Sequence, residues 1–174
     1  MAFSIAAKGY TLTASWVKQE KDNWCWAACA ENSVMYKRKI SKTQRDAVKY
    51  IKGKLLTPYP DVRGSIKDIK DAAEYISDYQ ESYTYIVSQK KYSFLRQKIQ
   101  EGTITIAVIR YYDGEVKSDA HAVIITGYDD QYNKITYYDP GNGQTHTCYY
   151  NAFCTGVYNG GVYEGTVYNY YSVC

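Results

Sequence analysis

Gln19-Glu20-Lys21-Asp22-Asn23-Trp24-Cys25-Trp26-Ala27-Ala28-Cys29 is the stretch on which the fold turns. A Gln stands six residues before a Cys, and the Cys stands where a helix should begin. Asp22 or Asn23 is placed to cap that helix, expected from about Trp24 to Lys37. A thiol in a first helical turn lies among N–H groups that have no carbonyl partner in the helix and favour negative charge. A side-chain amide six residues upstream can fold back beside it. This is the layout of a thiol nucleophile with an oxyanion donor at hand.

Two later residues extend the constellation. His121 heads the apolar run Ala120 to Tyr128, and Asp139 ends the next run, Lys134 to Asp139. Both runs read as strands of one hairpin. With the joining loop Asp129-Asp130-Gln131-Tyr132-Asn133 centred on Gln131, Asp139 faces Val123 and His121 becomes its diagonal neighbour on the same face. A slip of one residue would send the two to opposite faces. In the favoured register Asp139 orients the imidazole, His121 moves protons, Cys25 attacks, and Gln19 with the Cys25 backbone N–H binds the oxyanion. Trp24, Trp26 and Ala120 are the neighbours expected to line the site.

Each residue alone has an ordinary structural reading. A Cys at a helix start is often a small core residue, a His on an apolar strand a satisfied one, and an Asp before Pro-Gly a turn former. His146, the second histidine, is the rival base, with no Asp or Asn clearly placed to orient it. A zinc set from Cys25, Cys29, His146 and Cys148 lacks the usual two-residue knuckle spacing. The reading therefore needs no metal and no organic cofactor.

The pattern resembles the papain-like cysteine peptidases, which carry a Trp or Tyr directly after the nucleophile, as in Cys25-Trp26. Asp22, Asn23 and Trp24 replace the small residues and the preceding Cys common in that family, so the disulfide made by that Cys is missing. Trp-Cys-Trp-Ala-Ala-Cys is more similar to the compact bacterial branch, which includes secreted peptidases and plant-pathogen effector proteases. Asp rather than Asn at position 139 fits that branch too. The resemblance covers Gln19 to about Cys29 and Ala120 to about Gly143. It implies a papain-like α+β fold, with an N-terminal helical lobe that carries the Cys helix against a C-terminal antiparallel sheet or half-barrel. It also implies a protein or peptide substrate.

The pattern along the chain agrees with helices first and strands later. Further helices are expected over Lys42 to Ile51, closed by Gly53, over Ile66 to Tyr75 behind a Ser65 cap, and over Tyr92 to Gln100, ended by Gly102. Thr57 to Pro60 reads as a loop. Strands are expected over Thr103 to Arg110, then, after an Asp113-Gly114 turn, over the two runs above, over Gln144 to Tyr150, and near Val162 to Tyr171. The 174 residues suit one domain, helical over about 20–102 and β over about 103–174.

Composition narrows the partners. Charged residues at 22% and hydrophobic residues at 45% describe an ordinary globular chain, and no apolar run reaches the roughly 20 residues of a transmembrane helix. The net charge of +3 is uneven: Lys37 to Lys54 holds eight cations against Asp46. A solvated face accounts for it, with a docking patch for an acidic partner or a membrane surface as the alternative. Nucleic acid is excluded, since no binding motif accompanies the charge. With Cys25 as nucleophile, Cys29, Cys148, Cys154 and Cys174 remain, either paired in one of three ways or left as idle thiols. Met1 to Ala7 does not read as a signal peptide, and no inhibitory prodomain is expected before Cys25. A mature secreted or host-injected form is expected, with a cytosolic one as the alternative. A cysteine peptidase is thus the leading expectation. A transamidase or peptide-maturing enzyme on the same acyl-enzyme is the second, and a catalytically silent binding module the third.

Overall fold

Two layers meet along the length of one central helix. The fold is taken from a computed structural model that describes residues 8–53, 59–157 and 160–169. The central helix, α1 (Cys25–Met35), is buried from Trp26 through Val34. Ala27, Ala28 and Ala30 let its neighbours come close on all sides. Its polar residues are all engaged. Asn32 accepts from the Val17 N–H at 2.8 Å and donates to the Val17 and Ala28 carbonyls. Glu31 accepts from the backbone and side-chain amides of Gln44. Asn32 thus clamps the segment that leads into Gln19.

The expected Ser65 cap and Gly53 stop are both present, while the helix expected from Lys42 begins two residues later, behind a Thr43 cap. Helix α2 (Gln44–Lys52) starts at a Thr43–Asp46 capping box and ends at Gly53. Helix α3 (Ile66–Ile76) starts at a Ser65–Asp68 box, with the Ser65 hydroxyl accepting from the Asp68 N–H. Both lie beside α1. Helix α4 (Tyr92–Gln100) occupies the residues expected of it. The start of α1 differs from expectation: Trp24, not Asp22 or Asn23, is the N-cap, and no side chain caps it. The Asn23 N–H is instead held by Asp61 Oδ1.

The sheet is antiparallel throughout, with seven strands among the described residues: β1 (Gly9–Thr11), β2 (Tyr83–Ile86), β3 (Thr105–Asp113), β4 (Val116–Asp129), β5 (Lys134–Asp139), β6 (Gln144–Tyr149) and β7 (Gly161–Asn169). Their order is β2-β7-β3-β4-β5-β6, and β1 pairs with the far end of β4. Strands β1 and β2 and the short helix α5 (Tyr150–Thr155) were not expected. The two lobes are therefore not cut cleanly at residue 103, because β1 and β2 bring the first half of the chain into the sheet.

The hairpin that carries His121 and Asp139 reaches its register by an unexpected route. Next to the loop the pairs are Asp129↔Lys134, Tyr128↔Ile135 and Gly127↔Thr136. That is one residue out of step with a loop centred on Gln131. A bulge at Thr126 absorbs the difference, and beyond it Ile125 faces Tyr137 and Ile124 faces Tyr138. One step further, this register sets Asp139 opposite Val123. Without the bulge Asp139 would oppose Ile124, and His121 would point to the other face.

Four of the cations in the basic run are paired with distant acids: Arg38 with Glu81, Lys42 with Asp78, Arg45 with Glu20 and Lys52 with Asp68. These pairs tie α2 and the segment between α1 and α2 to their surroundings and divide the patch into separate local contacts. Lys54, like Thr57 and Pro58 of the expected loop, lies outside the described residues. Among the described residues no helix is long and apolar enough to cross a membrane.

Candidate active site

The site is built at the start of α1, where three segments are stitched to each other. Trp24 and Trp26, each no more than 1% exposed, turn their indole N–H groups to the Pro60 and Val62 carbonyls at 2.9 and 3.1 Å. Lys21 Nζ reaches the Tyr59 carbonyl, and Asp61 holds the Asn23 N–H. The loop before α3 is thereby fastened along the Cys loop. Gly64 is required there, since a Cβ would stand 2.4 Å from the Trp26 ring. On the other side the Gln19 N–H donates to the Pro140 carbonyl at 3.0 Å, which joins the Gln19 segment to the turn after β5.

Cys25, His121 and Asp139 come together as expected. His121 Nε2 lies 2.6 Å from Asp139 Oδ1, a charge-assisted hydrogen bond, and the ring also interacts with the Cys25 side chain. With Nε2 on the carboxylate, Nδ1 is the nitrogen that serves the thiol. The Gly141 N–H donates to the same Asp139 oxygen at 2.7 Å. A side chain at 141 would crowd that oxygen and His121 Cε1, at 3.1 and 3.3 Å.

The charge states follow from these contacts. Burial disfavours the His121 imidazolium, yet the hydrogen bonds to Asp139 and Cys25 outweigh it and push the group up to about 10. Burial likewise works against the Asp139 carboxylate, and the His121 partner overcomes it, leaving the group below its usual range. At neutral pH the pair is ionised on both sides.

Gln19 is at the site but turned differently from expectation. Its Nε2 donates to the Lys21 and Asp22 carbonyls at 2.9 and 2.7 Å, while Oε1 is buried without a partner. The Cys loop folds back over the amide, and two carbonyls claim both of its hydrogens. One of those bonds has to yield before Gln19 reaches an oxyanion.

A cleft of about 790 Å³ opens over Cys25 and His121. Trp26 and Ala120 line it as expected, together with Gly64, Ile66 and Val108. Trp24 does not: it is fully buried as the N-cap and acts through the Pro60 carbonyl. Arg63 and Asp119 face each other across the mouth at 3.2 Å. Asp119 belongs to the stretch Asp113 to Asp119 that the sequence offers as a candidate specificity loop, whereas Arg63, Gly64 and Gly141 are site residues that sequence reasoning missed. The glycines left a trace in Arg63-Gly64-Ser65, just before a helix cap, and in Pro140-Gly141.

The remaining cysteines are different in kind. Cys25, Cys29, Cys148 and Cys154 are all free thiols. Burial pushes Cys29 well up and Cys148 up to about 11, so both stay protonated. Cys174 lies outside the described residues. No three His, Cys, Asp or Glu side chains converge as a metal set among the described residues.

Residues 11–170 match the model of the Peptidase_C39-like family. The chain belongs to the Peptidase_C39-like family. It is a papain-like cysteine peptidase, a hydrolase acting on peptide bonds. Among solved structures the peptidase is similar to xylellain, a cysteine protease from Xylella fastidiosa. The TM-score is 0.55 at 12% identity, over 92% of this chain and 85% of that one. At that identity the likeness is one of fold, and it makes this α+β arrangement papain-like. No curated protein matches the peptidase.

Proposed function

We propose that the peptidase acts through a Cys25–His121–Asp139 triad and an acyl-enzyme on Cys25. One observation carries this: His121 stands between the Asp139 carboxylate at 2.6 Å and the thiol at the start of α1, on the floor of the cleft. The thiolate attacks the carbonyl carbon, and the oxyanion forms beside the Cys25 N–H, which has no carbonyl of its own helix in reach. The Gln19 amide joins once it leaves the Lys21 or Asp22 carbonyl. The C–N bond then breaks as His121 gives its Nδ1 proton to the departing amine. Water attacks the thioester, its proton passes to His121, and the C–S bond breaks to release the acid and restore the ion pair. Asp139 keeps the ring in this orientation throughout.

The protein works in this reading as a single peptidase domain on a protein or peptide chain. Brief treatment of the native protein with iodoacetamide near pH 6, followed by intact mass and peptide mapping, tests it. Single, rapid labelling at Cys25 that is lost in His121→Ala is expected. Slow or scattered labelling, or peptide hydrolysis that survives in Cys25→Ala, overturns the assignment.

A further inference from the structure

The ion pairs around the large cleft are of two kinds. Lys52 with Asp68 lies wholly on the helical wall, between α2 and α3, and Arg110 and Lys117 with Glu164 lie wholly on the sheet. Arg63 with Asp119 is, among the described residues that line the cleft, the one ion pair that joins the two walls. Arg63 stands on the loop before α3, and Asp119 stands on β4.

Both ends of this pair are set beside the triad. Asp119 and His121 face Tyr111 and Ile109 in one regular stretch of β4, so their side chains share a face of the sheet, about 7 Å apart along the strand. Arg63 Nε reaches Asn23 Oδ1 at 3.4 Å, two residues ahead of Cys25, while its Nη2 reaches Asp119 Oδ2 at 3.2 Å. The other Asp119 oxygen accepts from the Ala120 N–H at 2.6 Å, which leaves the first one turned to the arginine. Asn23, Arg63 and Asp119 thus make a polar chain from wall to wall. It starts two residues before the nucleophile and ends two residues before the base.

Resting on the triad reading, we propose that Arg63 and Asp119 form a strap across the cleft, closed in the free protein, which a peptide has to part before its carbonyl reaches Cys25. A peptide strand keeps about 4.8 Å from its neighbours even when hydrogen-bonded to them, and it cannot pass between two groups that stand 3.2 Å apart. Opening is easy, because the two side chains are 64% and 48% exposed and water takes over each charge as they separate. An exposed pair of this kind shifts an equilibrium by up to about fivefold. The strap therefore tunes entry to the cleft rather than locking it, and salt loosens it by screening the two charges.

KM on an uncharged fluorogenic peptide, which can pair with neither residue, tests this. It should fall about two- to fivefold in Arg63→Gln and by the same factor in Asp119→Asn. The double variant should fall no further, because either change alone removes the whole strap. Exchanging the charges, Arg63→Glu with Asp119→Lys, should close the strap again and return KM to within about twofold of the native value. Raising the ionic strength from about 0.05 M to about 0.5 M should bring the native KM toward that of the neutral variants and leave theirs in place. A KM that is unchanged or raised in the single variants, or a charge exchange that behaves like the double neutral variant, overturns the strap while leaving the triad intact. Hydrolysis that persists in Cys25→Ala overturns the triad, and the strap with it.

Discussion

Replacing Asp139 by Ala measures how much of the His121 charge the carboxylate holds in place. His121 sits at about 10 against an ordinary 6.5, although its burial pulls the other way. That gap favours the imidazolium by roughly 5 kcal/mol. Asp139 and Cys25 supply the upward pull, with Asp139 first. Losing the hydrogen bond to the carboxylate should cost about 2–3 kcal/mol, the range for a bond between charged groups. If this is lost wholly from the transition state, kcat/KM falls about 70-fold. The sign with pH is fixed as well. The imidazolium persists until pH rises through about 10, so the native alkaline limb should lie there, and in Asp139→Ala it should move toward neutral. Asp139→Asn, which keeps the shape without the charge, should lie between the two. The assay is kcat/KM on a fluorogenic peptide from pH 5 to pH 10.5. A loss under about threefold with an unmoved alkaline limb would show that Cys25 alone sets the charge on His121, and the orienting role of Asp139 would be refuted.

Three more outcomes are expected. A raised folded pKa means that the stability contributed by charged His121 is complete below about 6.5 and is lost as pH rises through about 10; the melting temperature should therefore fall more steeply over that window in the native chain than in His121→Gln, and parallel curves would count against it. Gly64→Ala places a methyl 2.4 Å from the buried Trp26 ring, so it should cost about 1–3 kcal/mol in chemical denaturation and raise KM as the cleft wall shifts; an unchanged midpoint would mean the loop is looser than its hydrogen bonds indicate. Gln19→Ala should lower kcat about 10²–10³-fold if the amide turns from the Lys21 and Asp22 carbonyls to the oxyanion, and a drop below threefold would confine it to bracing the Cys loop.

What could be read in advance was what local chemistry decides. Ser65 before Ile66, and Gly53 after Lys52, are side-chain and backbone signals that act within one turn, and α3 began and α2 ended where those residues put them. The three components Cys25, His121 and Asp139 were legible because each stands at the end of an apolar run. Strands β1 and β2 were not, because three or four residues of Gly-Tyr-Thr or Tyr-Thr-Tyr-Ile become strands only when β4 and β7 present an edge. Trp24 was misplaced for a related reason. Its role as a buried cap depends on the Pro60 carbonyl, 36 residues away in sequence. The rotation of the Gln19 amide depends on how Lys21 and Asp22 fold back over it, which spacing does not reveal.

The bulge at Thr126 has a consequence for how such a hairpin diverges over time. The site does not require particular side chains between His121 and Asp139; it requires an odd–even count along the two strands to come out right. A single deletion there, however conservative in chemistry, would turn one partner away. A second change of one residue between the same two positions would bring it back. Substitutions at the tip, over 130–133, leave the count untouched. Lineages of this hairpin should therefore vary freely at the loop, conserve apolar character at the buried strand positions, and change length between the two residues only in compensating pairs.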